Sequence, residues 1–352
     1  MSMSKSDARL SAWFLPVEAL GMGKKGTLVY SADQLVQRIR SRDNTKPHAT
    51  LVLVAVRTCA GGAEPRVAAA SDARALARLG LDARVALKDV RDEAAARREL
   101  AVHALVRGIF RAARKARYCV LHPRICSVEV DGHVLLPMRA MTSTAKAMPP
   151  ASPLDLLRLA KATLESLRTL HRGGVLHLDV KPENVMVGVT KSHNDYVLGD
   201  YDLAAHADDV LDALLSGGGI VAVGTSGYMS PLLLGGRIEP PLARCCRFAS
   251  HVAAAARRRF GLDLPEGLDE DGWSDLFATQ RHVLLTSASR SDASAMLQRA
   301  DLHSLAVTLH RLLVLIKSPE DDDHARSLSG ALIAGLASGV FADAGAARAF
   351  LS

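Results

Sequence analysis

Aromatic residues are scarce in this 352-residue chain, at 4%. Hydrophobic residues still reach 49%, so a sizeable core can form, built mainly from Ala, Leu and Val. No apolar run approaches the ~20 residues needed to span a bilayer. Leu51 to Val56 is an apolar run of strand length only, and the N-terminus lacks the apolar stretch of a secretory signal. The cysteines Cys59, Cys119, Cys126, Cys245 and Cys246 have no zinc-site spacing, and adjacent Cys245 and Cys246 rarely bridge each other. A reducing intracellular setting, cytoplasm or nucleus, follows as the economical expectation, with no membrane partner. The formal net charge of +7 reads as a diffusely basic surface, and nucleic acid is not indicated.

What is present concentrates between residues 175 and 204. Asp179, Asn184 and Asp200 lie within a short span, with Lys181 between them. Apolar residues flank each polar group: Val175 and Leu176, Val185 to Val187, Val197 and Leu198. This alternation predicts short buried strands that hold polar loops rigidly. A carboxylate can take a proton from a nucleophile. A second carboxylate with an amide can hold Mg²⁺, which prefers oxygen ligands shared with substrate phosphates.

His177-Leu178-Asp179-Val180-Lys181-Pro182-Glu183-Asn184 resembles the H-R-D-x-K-x-x-N catalytic loop of eukaryotic-type protein kinases. Asp200-Tyr201-Asp202 stands where that family has D-F-G, and Gly224 to Pro231 resembles the G-T-x-x-Y-x-A-P that closes its activation segment. The resemblance implies ATP and Mg²⁺ as cofactors and a protein as substrate. It implies that Asp179 accepts the proton of the substrate hydroxyl, that Lys181 steadies the γ-phosphoryl group, and that Asn184 and Asp200 hold the metal. Lys181 is the serine/threonine pattern, and Thr225 would bond the catalytic aspartate and lysine. The alternative is a pseudokinase, a nucleotide- or protein-binding scaffold. A small-molecule phosphotransferase is disfavoured by Gly224–Pro231, a peptide platform in protein kinases.

Upstream, Val85-Ala86-Leu87-Lys88 resembles the V-A-I-K strand, and Glu99, on a helix expected over 92–106, its ion-pair partner. The helix should start almost directly after the strand. Two stretches compete as the phosphate loop. Gly21, Gly23 and Gly26 fit G-x-G-x-x-G before an apolar run, yet lie far from Lys88. Gly61 and Gly62 have better spacing and poorer glycines. Ser127–Val130 and His133–Leu136 predict a hairpin turning at Asp131-Gly132, and Leu154–His171 a buried helix.

Four departures stand out. Leu178 replaces the H-R-D arginine, which normally docks an activation-loop phosphate, so that phosphate is not expected to be required. Tyr201 replaces Phe, Asp202 replaces Gly, and Leu232 replaces the glutamate of A-P-E, whose ion pair must give way to apolar packing. Asp301-Leu302-His303-Ser304-Leu305 resembles the D-x-W-S-L that opens the central buried helix, its aspartate bracing the catalytic loop; Asp271-Gly272-Trp273-Ser274 is a weaker rival. Helices are expected over 242–260, 273–285, 327–340 and 343–351. The Arg257-Arg258-Arg259 run reads as a solvated helix end more readily than as a phosphate contact.

The resulting expectation is an α+β, bilobal protein-kinase fold with a small β-rich N-lobe and a larger helical C-lobe. The N-lobe would take residues 1–141, including an extension or insert. The C-lobe would take 142–352, with a helical insert at about 233–298. In its Ala/Arg-rich composition and insertions, the sequence resembles kinases of large DNA viruses.

Overall fold

The computed structural model describes residues 14–16, 50–56, 85–90, 93–121, 128–130, 133–139, 141–189, 194–216, 221–287, 289–317 and 323–352. The chain divides into two compact units: residues 1–107 with 120–142, and residues 108–119 with 143–352. Among the described residues, no helix is long and apolar enough to cross a membrane.

The first unit is built on an antiparallel sheet of five strands: β1 (Phe14–Pro16), β2 (Thr50–Val56), β3 (Val85–Val90), β4 (Val128–Val130) and β5 (His133–Arg139), in the order β1-β2-β3-β5-β4. Short apolar runs rich in Val and Leu make these strands, as alternating or continuous apolar patterns do. β3 is central, with Lys88 opposite Leu51 on one side and Leu136 on the other. Helix α1 (Glu93–Ala112) begins three residues after β3, as the short Lys88–Glu99 spacing requires, and runs six residues beyond its expected end. The β4–β5 hairpin is present with Val130 opposite His133. Its turn residues and both glycine-rich candidates lie outside the described residues.

The second unit is mainly helical. A strand of two residues, β6 (Ser143–Thr144), pairs with β8 (Val185–Val189), which pairs with β9 (Asn194–Leu198). Helix α2 (Pro153–Arg172) starts where Ser152 Oγ accepts the Asp155 N–H and Pro153 fills the first turn. The two-residue strands β7 (Val175–Leu176) and β10 (Ala205–His206) pair with each other. Helices α3 (Ala207–Ser216), α4 (Pro240–Phe260), α5 (Glu270–Thr286), α6 (Arg290–Leu315), α7 (Asp323–Ser338) and α8 (Ala344–Phe350) follow. The core is Leu-, Ala- and Val-rich, as the composition requires, and Trp273 and Phe277 are among its largest fully buried side chains. Cys245 and Cys246 sit buried and unbridged on α4, where burial raises both thiols, Cys246 to about 12.

Two helices differ from expectation. Asp301 does not open α6: the helix begins eleven residues earlier, at Arg290, where Ser289 Oγ accepts the Asp292 N–H. The Ser289-x-x-Asp292 spacing is a capping signal that was legible in the sequence. Helix α3 was not expected at all. It carries Asp208 and Asp209 in its first turn and buries Val210, Leu211 and Leu214.

Candidate active site

The site is organised by one face of α6. Asp301, Ser304, Thr308 and Arg311 recur at helical spacing and so share a side of the helix. Asp301 is fully buried. Its Oδ2 accepts the His177 N–H at 2.8 Å and meets His171 Nε2 at 2.9 Å, while Oδ1 accepts the Leu178 N–H at 2.8 Å. Burial alone would raise this carboxyl. The His171 bond and charge, with the backbone bond from His177, outweigh that and hold it below its ordinary value. Ser304 Oγ donates to the Tyr228 carbonyl at 2.7 Å, and Thr308 Oγ1 to the Val180 carbonyl at 3.1 Å. The helix therefore braces the loop at 177–180 and the segment at 228 together. The rival Asp271 is exposed in the first turn of α5, where nearby Trp273 Nε1 donates to Ser250 Oγ.

Asp301 also explains an unusual backbone. Leu178 has φ of 65°, a region that costs a bulky residue strain and persists only where the surroundings fix it. The fork from Asp301 fixes its N–H. Its side chain is buried in an apolar cluster. Gly224, with φ of 127°, closes onto the same point: a Cβ there would lie 2.7 Å from the Leu178 carbonyl oxygen. That approach admits only glycine.

Asp179 is buried at the centre. Its Oδ2 accepts from Lys181 Nζ at 2.6 Å and from Asn184 Nδ2 at 2.9 Å. Its Oδ1 accepts from the Thr225 N–H at 3.0 Å and the Thr225 hydroxyl at 2.7 Å. Lys181 Nζ also donates to Thr225 Oγ1 at 2.6 Å. Burial pushes the Asp179 carboxyl up, but the bonds from Lys181 and Thr225, the Lys181 charge and Asn184 outweigh it and lower its pKa. Asn184 Nδ2 also donates to the Asp179 carbonyl at 2.8 Å. Both its partners are acceptors, so the amide nitrogen belongs there and the amide oxygen is the group left for a cation. His177 is set the same way. Its Nε2 faces the Gly199 carbonyl at 3.1 Å, so that nitrogen carries the proton, and Nδ1 accepts the Asp179 N–H at 3.3 Å.

Asp200 follows β9 with φ of 60°, a region aspartate tolerates better than most residues. Tyr201 is fully buried against His177 at 5.4 Å, and its hydroxyl donates to the Leu198 carbonyl at 2.8 Å, which is why the extra oxygen is tolerated. Asp202 is exposed and its φ is not positive, so glycine is not required there. Leu232 is buried with Leu178, Val210, Leu211, Leu214, Leu233 and Leu297 in one apolar cluster.

The structure thus brings Asp179, Lys181, Asn184 and Thr225 together. Lys88 is placed by register on β3, and Glu99 is buried with His103 Nε2 at 3.6 Å. Gly21, Gly23 and Gly26 lie outside the described residues, as do Gly61 and Gly62. In chain order, the first set falls between β1 and β2 and the second between β2 and β3. His171, Ser304 and Thr308 were missed in the sequence. The signal for Ser304 and Thr308 was their helical spacing from Asp301, at positions 301, 304 and 308.

Residues 81–240 match the family model described as protein kinase domain. The chain is similar to the serine/threonine-protein kinase PknD of Mycobacterium tuberculosis, with 33% identity over 108 residues, 29% of this chain and 15% of that protein. It is 37% identical over 78 residues to the serine/threonine-protein kinase pkn3 of Myxococcus xanthus, 22% of this chain and 14% of that one. A probable serine/threonine-protein kinase, pknA2 of Bifidobacterium longum, is 34% identical over 80 residues, 23% of this chain and 10% of the relative. The chain thus spans about a tenth to a sixth of the length of these relatives. The matches support the eukaryotic-type protein kinase superfamily over residues 81–240.

Proposed function

We propose that the protein is an ATP- and Mg²⁺-dependent serine/threonine protein kinase, active without a phosphate on its activation segment. The observation that carries this reading is the set of bonds around Asp179. Its carboxylate is held ionised and oriented by Lys181, Asn184 and Thr225, as a base must be to accept a hydroxyl proton. Lys181 lies between Asp179 and Thr225, where a cation can offset charge on a transferring phosphoryl group. A hydroxyl brought to Asp179 passes its proton to that carboxylate as its oxygen attacks.

The donor set at Asn184 and Asp200 is all oxygen and suits a hard cation. These two residues would hold Mg²⁺, which neutralises phosphate charge when bound. For the nucleotide, Lys88 on the central strand would take the α- and β-phosphates, with Glu99 as its partner. Gly21, Gly23 and Gly26 would cover the phosphates. Their position between β1 and β2 in chain order supports them over Gly61 and Gly62.

Independence from activation-segment phosphate rests on Leu178 and Leu232. Both are buried in the apolar cluster that also takes α3, so the segment after Asp200 is held by packing. The compositional likeness to kinases of large DNA viruses stands as a finer part of the proposal, to which the bacterial relatives do not speak.

Transfer of labelled phosphate from ATP to a generic protein tests the reading. Asp179→Asn should lower the rate by about a hundredfold or more. Equal transfer by both proteins would rule out this centre. A thermal shift with Mg·ATP and no transfer would favour the scaffold alternative.

A further inference from the structure

The stripe on α6 does not end at Thr308. One turn on, Arg311 stacks over the Tyr228 ring at 4.9 Å and donates to the Tyr228 hydroxyl. Tyr228 is three residues from Thr225, which bonds Asp179, and its N–H donates to the Thr225 carbonyl at 3.0 Å. Across the same corner stands Glu183, in the loop of Asp179 and next to Asn184. Lys146 donates to Glu183 Oε1. Glu183, Arg311 and Lys146 all act electrostatically on Tyr228, so the four side chains form one cluster beside the base.

The charges in this corner do not balance. Lys146 and Arg311 are cations, and Glu183 is the single anion among the three. Lys146 neutralises Glu183, and the Glu183 pair raises the Lys146 pKa, so the lysine stays charged. The other carboxylate oxygen of Glu183 is buried and has no hydrogen-bond partner, so it is closed to an incoming side chain. Arg311 is exposed, and its partner is the neutral Tyr228 phenol, which leaves its charge uncancelled. The Lys146 side chain is 64% exposed. Another nearby carboxylate, Glu239, is already taken up by the Ser226 hydroxyl and the Gly227 N–H.

We infer that Arg311, seconded by Lys146, selects substrates that carry an anionic side chain close to the phosphate-accepting hydroxyl. A guanidinium held flat on a buried ring is preorganised for bidentate contact with a carboxylate or a phosphate. Both are anions that a peptide can present, as Asp or Glu or as a residue already phosphorylated. A basic neighbour would meet two cations and a Glu183 already paired. The inference deepens the serine/threonine kinase reading and rests on it for the transfer step alone.

The test uses serine peptides that differ in one neighbour, Glu, phosphoserine, Ala or Arg. Both phosphate transfer and binding, by fluorescence anisotropy without ATP, are measured. The wild-type chain should favour the Glu and phosphoserine peptides over the Arg peptide by about tenfold in each readout. A preference confined to phosphoserine would assign the anion to a prior phosphorylation. Arg311→Gln, which keeps a donor for Tyr228, should erase the preference, bringing the ratio between the Glu and Arg peptides to about one in both readouts. Arg311→Glu should invert it. A wild-type preference for the Arg peptide, or none among the four, overturns the inference, and equal transfer to all would do so while leaving the kinase reading intact. Charge-selective binding that is lost in Arg311→Gln, with no transfer to any peptide, would uphold the corner and sink the transfer reading.

Discussion

Two stretches meet at the candidate centre and are held by opposite means. Residues 177–184 are fixed by polar groups: Asp301 on two backbone N–H groups, Thr308 on a carbonyl, and Asn184 on Asp179. Helix α3 and the Leu232-Leu233 pair are fixed mainly by apolar contact, through Val210, Leu211, Leu214, Leu232 and Leu233. Leu178 belongs to both, with its backbone on Asp301 and its side chain in the apolar cluster. A polar fork sets direction to within a fraction of an ångström, and a proton acceptor needs that. Apolar packing sets position without a charge that another group could add or remove. The difference assigns precision to one stretch and constancy to the other.

The sharpest way to break this contrast is to remove the fork. Asp301→Ala leaves two buried N–H groups and His171 Nε2 without their acceptor. Breaking a buried charged network of this kind costs about 3–5 kcal/mol. Urea unfolding should show that loss, with transfer activity falling further than stability alone explains. A loss below ~1 kcal/mol would mean the loop is held elsewhere.

Next in size is the apolar stretch. Leu211→Ala or Leu214→Ala removes a buried side chain from the cluster and should cost about 2–4 kcal/mol. Leu178→Arg is harsher in kind, because it puts an uncompensated cation among Leu176, Leu232 and Leu297. If the segment is held by packing alone, phosphatase treatment should leave the transfer rate within about twofold, since no charge-assisted bond is lost. A large drop after phosphatase, measured on the wild-type chain, would erase the distinction drawn between the two stretches.

Acid sharpens the contrast, because the polar stretch titrates and the apolar one does not. Asp179 and Asp301 both have folded pKa values below their ordinary values. Groups depressed in this way contribute stability that is fully present above the unfolded value, about 3.9, and is lost as pH falls through the folded one. Stability should therefore hold from neutral pH down to about 5 on their account and decline below about 4. In Asp301→Asn the decline should be shallower. An equally steep acid limb in that variant would show that Asp301 is not among the groups responsible.

The polar centre was largely legible in the sequence, and the reasons are physical. Asp179, Lys181 and Asn184 sit in one short loop between apolar runs, where local spacing alone brings them near one another. Thr225 and Asp301 were legible through the same resemblance. His171 was not, because its partner lies 130 positions away and no local pattern encodes that pairing. Helix α3 was missed for a different reason. Its ten residues lie between two stretches that carry the resemblance, and the resemblance itself specifies no helix there. Read for periodicity, its apolar positions 210, 211 and 214 were already helical. The placement of Arg311 on Tyr228 needed the whole of α6 in register, and only the structure supplies it.

The smallest expected effect lies at the end of α4, where charge is abundant and precision is not. Gly261, with φ of 66°, stops the helix just after Arg257-Arg258-Arg259, and its N–H donates to the Arg257 carbonyl at 3.0 Å. Arg257 pairs with Asp263 and with Glu266 at 3.1 Å, and Arg259 reaches Asp323 at 3.4 Å. These side chains are about half exposed or more, so water and salt screen them. Arg257→Ala should cost no more than about 0.5–1 kcal/mol, part of it the favourable placing of a cation at a helix C-terminus. Raising the salt from about 0.1 M to 1 M, which shrinks the screening length from about 10 Å to 3 Å, should reduce even that difference. The same salt should barely alter the cost of Asp301→Ala, whose partners are buried. A loss above ~2 kcal/mol for Arg257→Ala that survived high salt would put this arginine run in the same class as the fork, and it would then merit the phosphate-contact reading that its local pairs argue against.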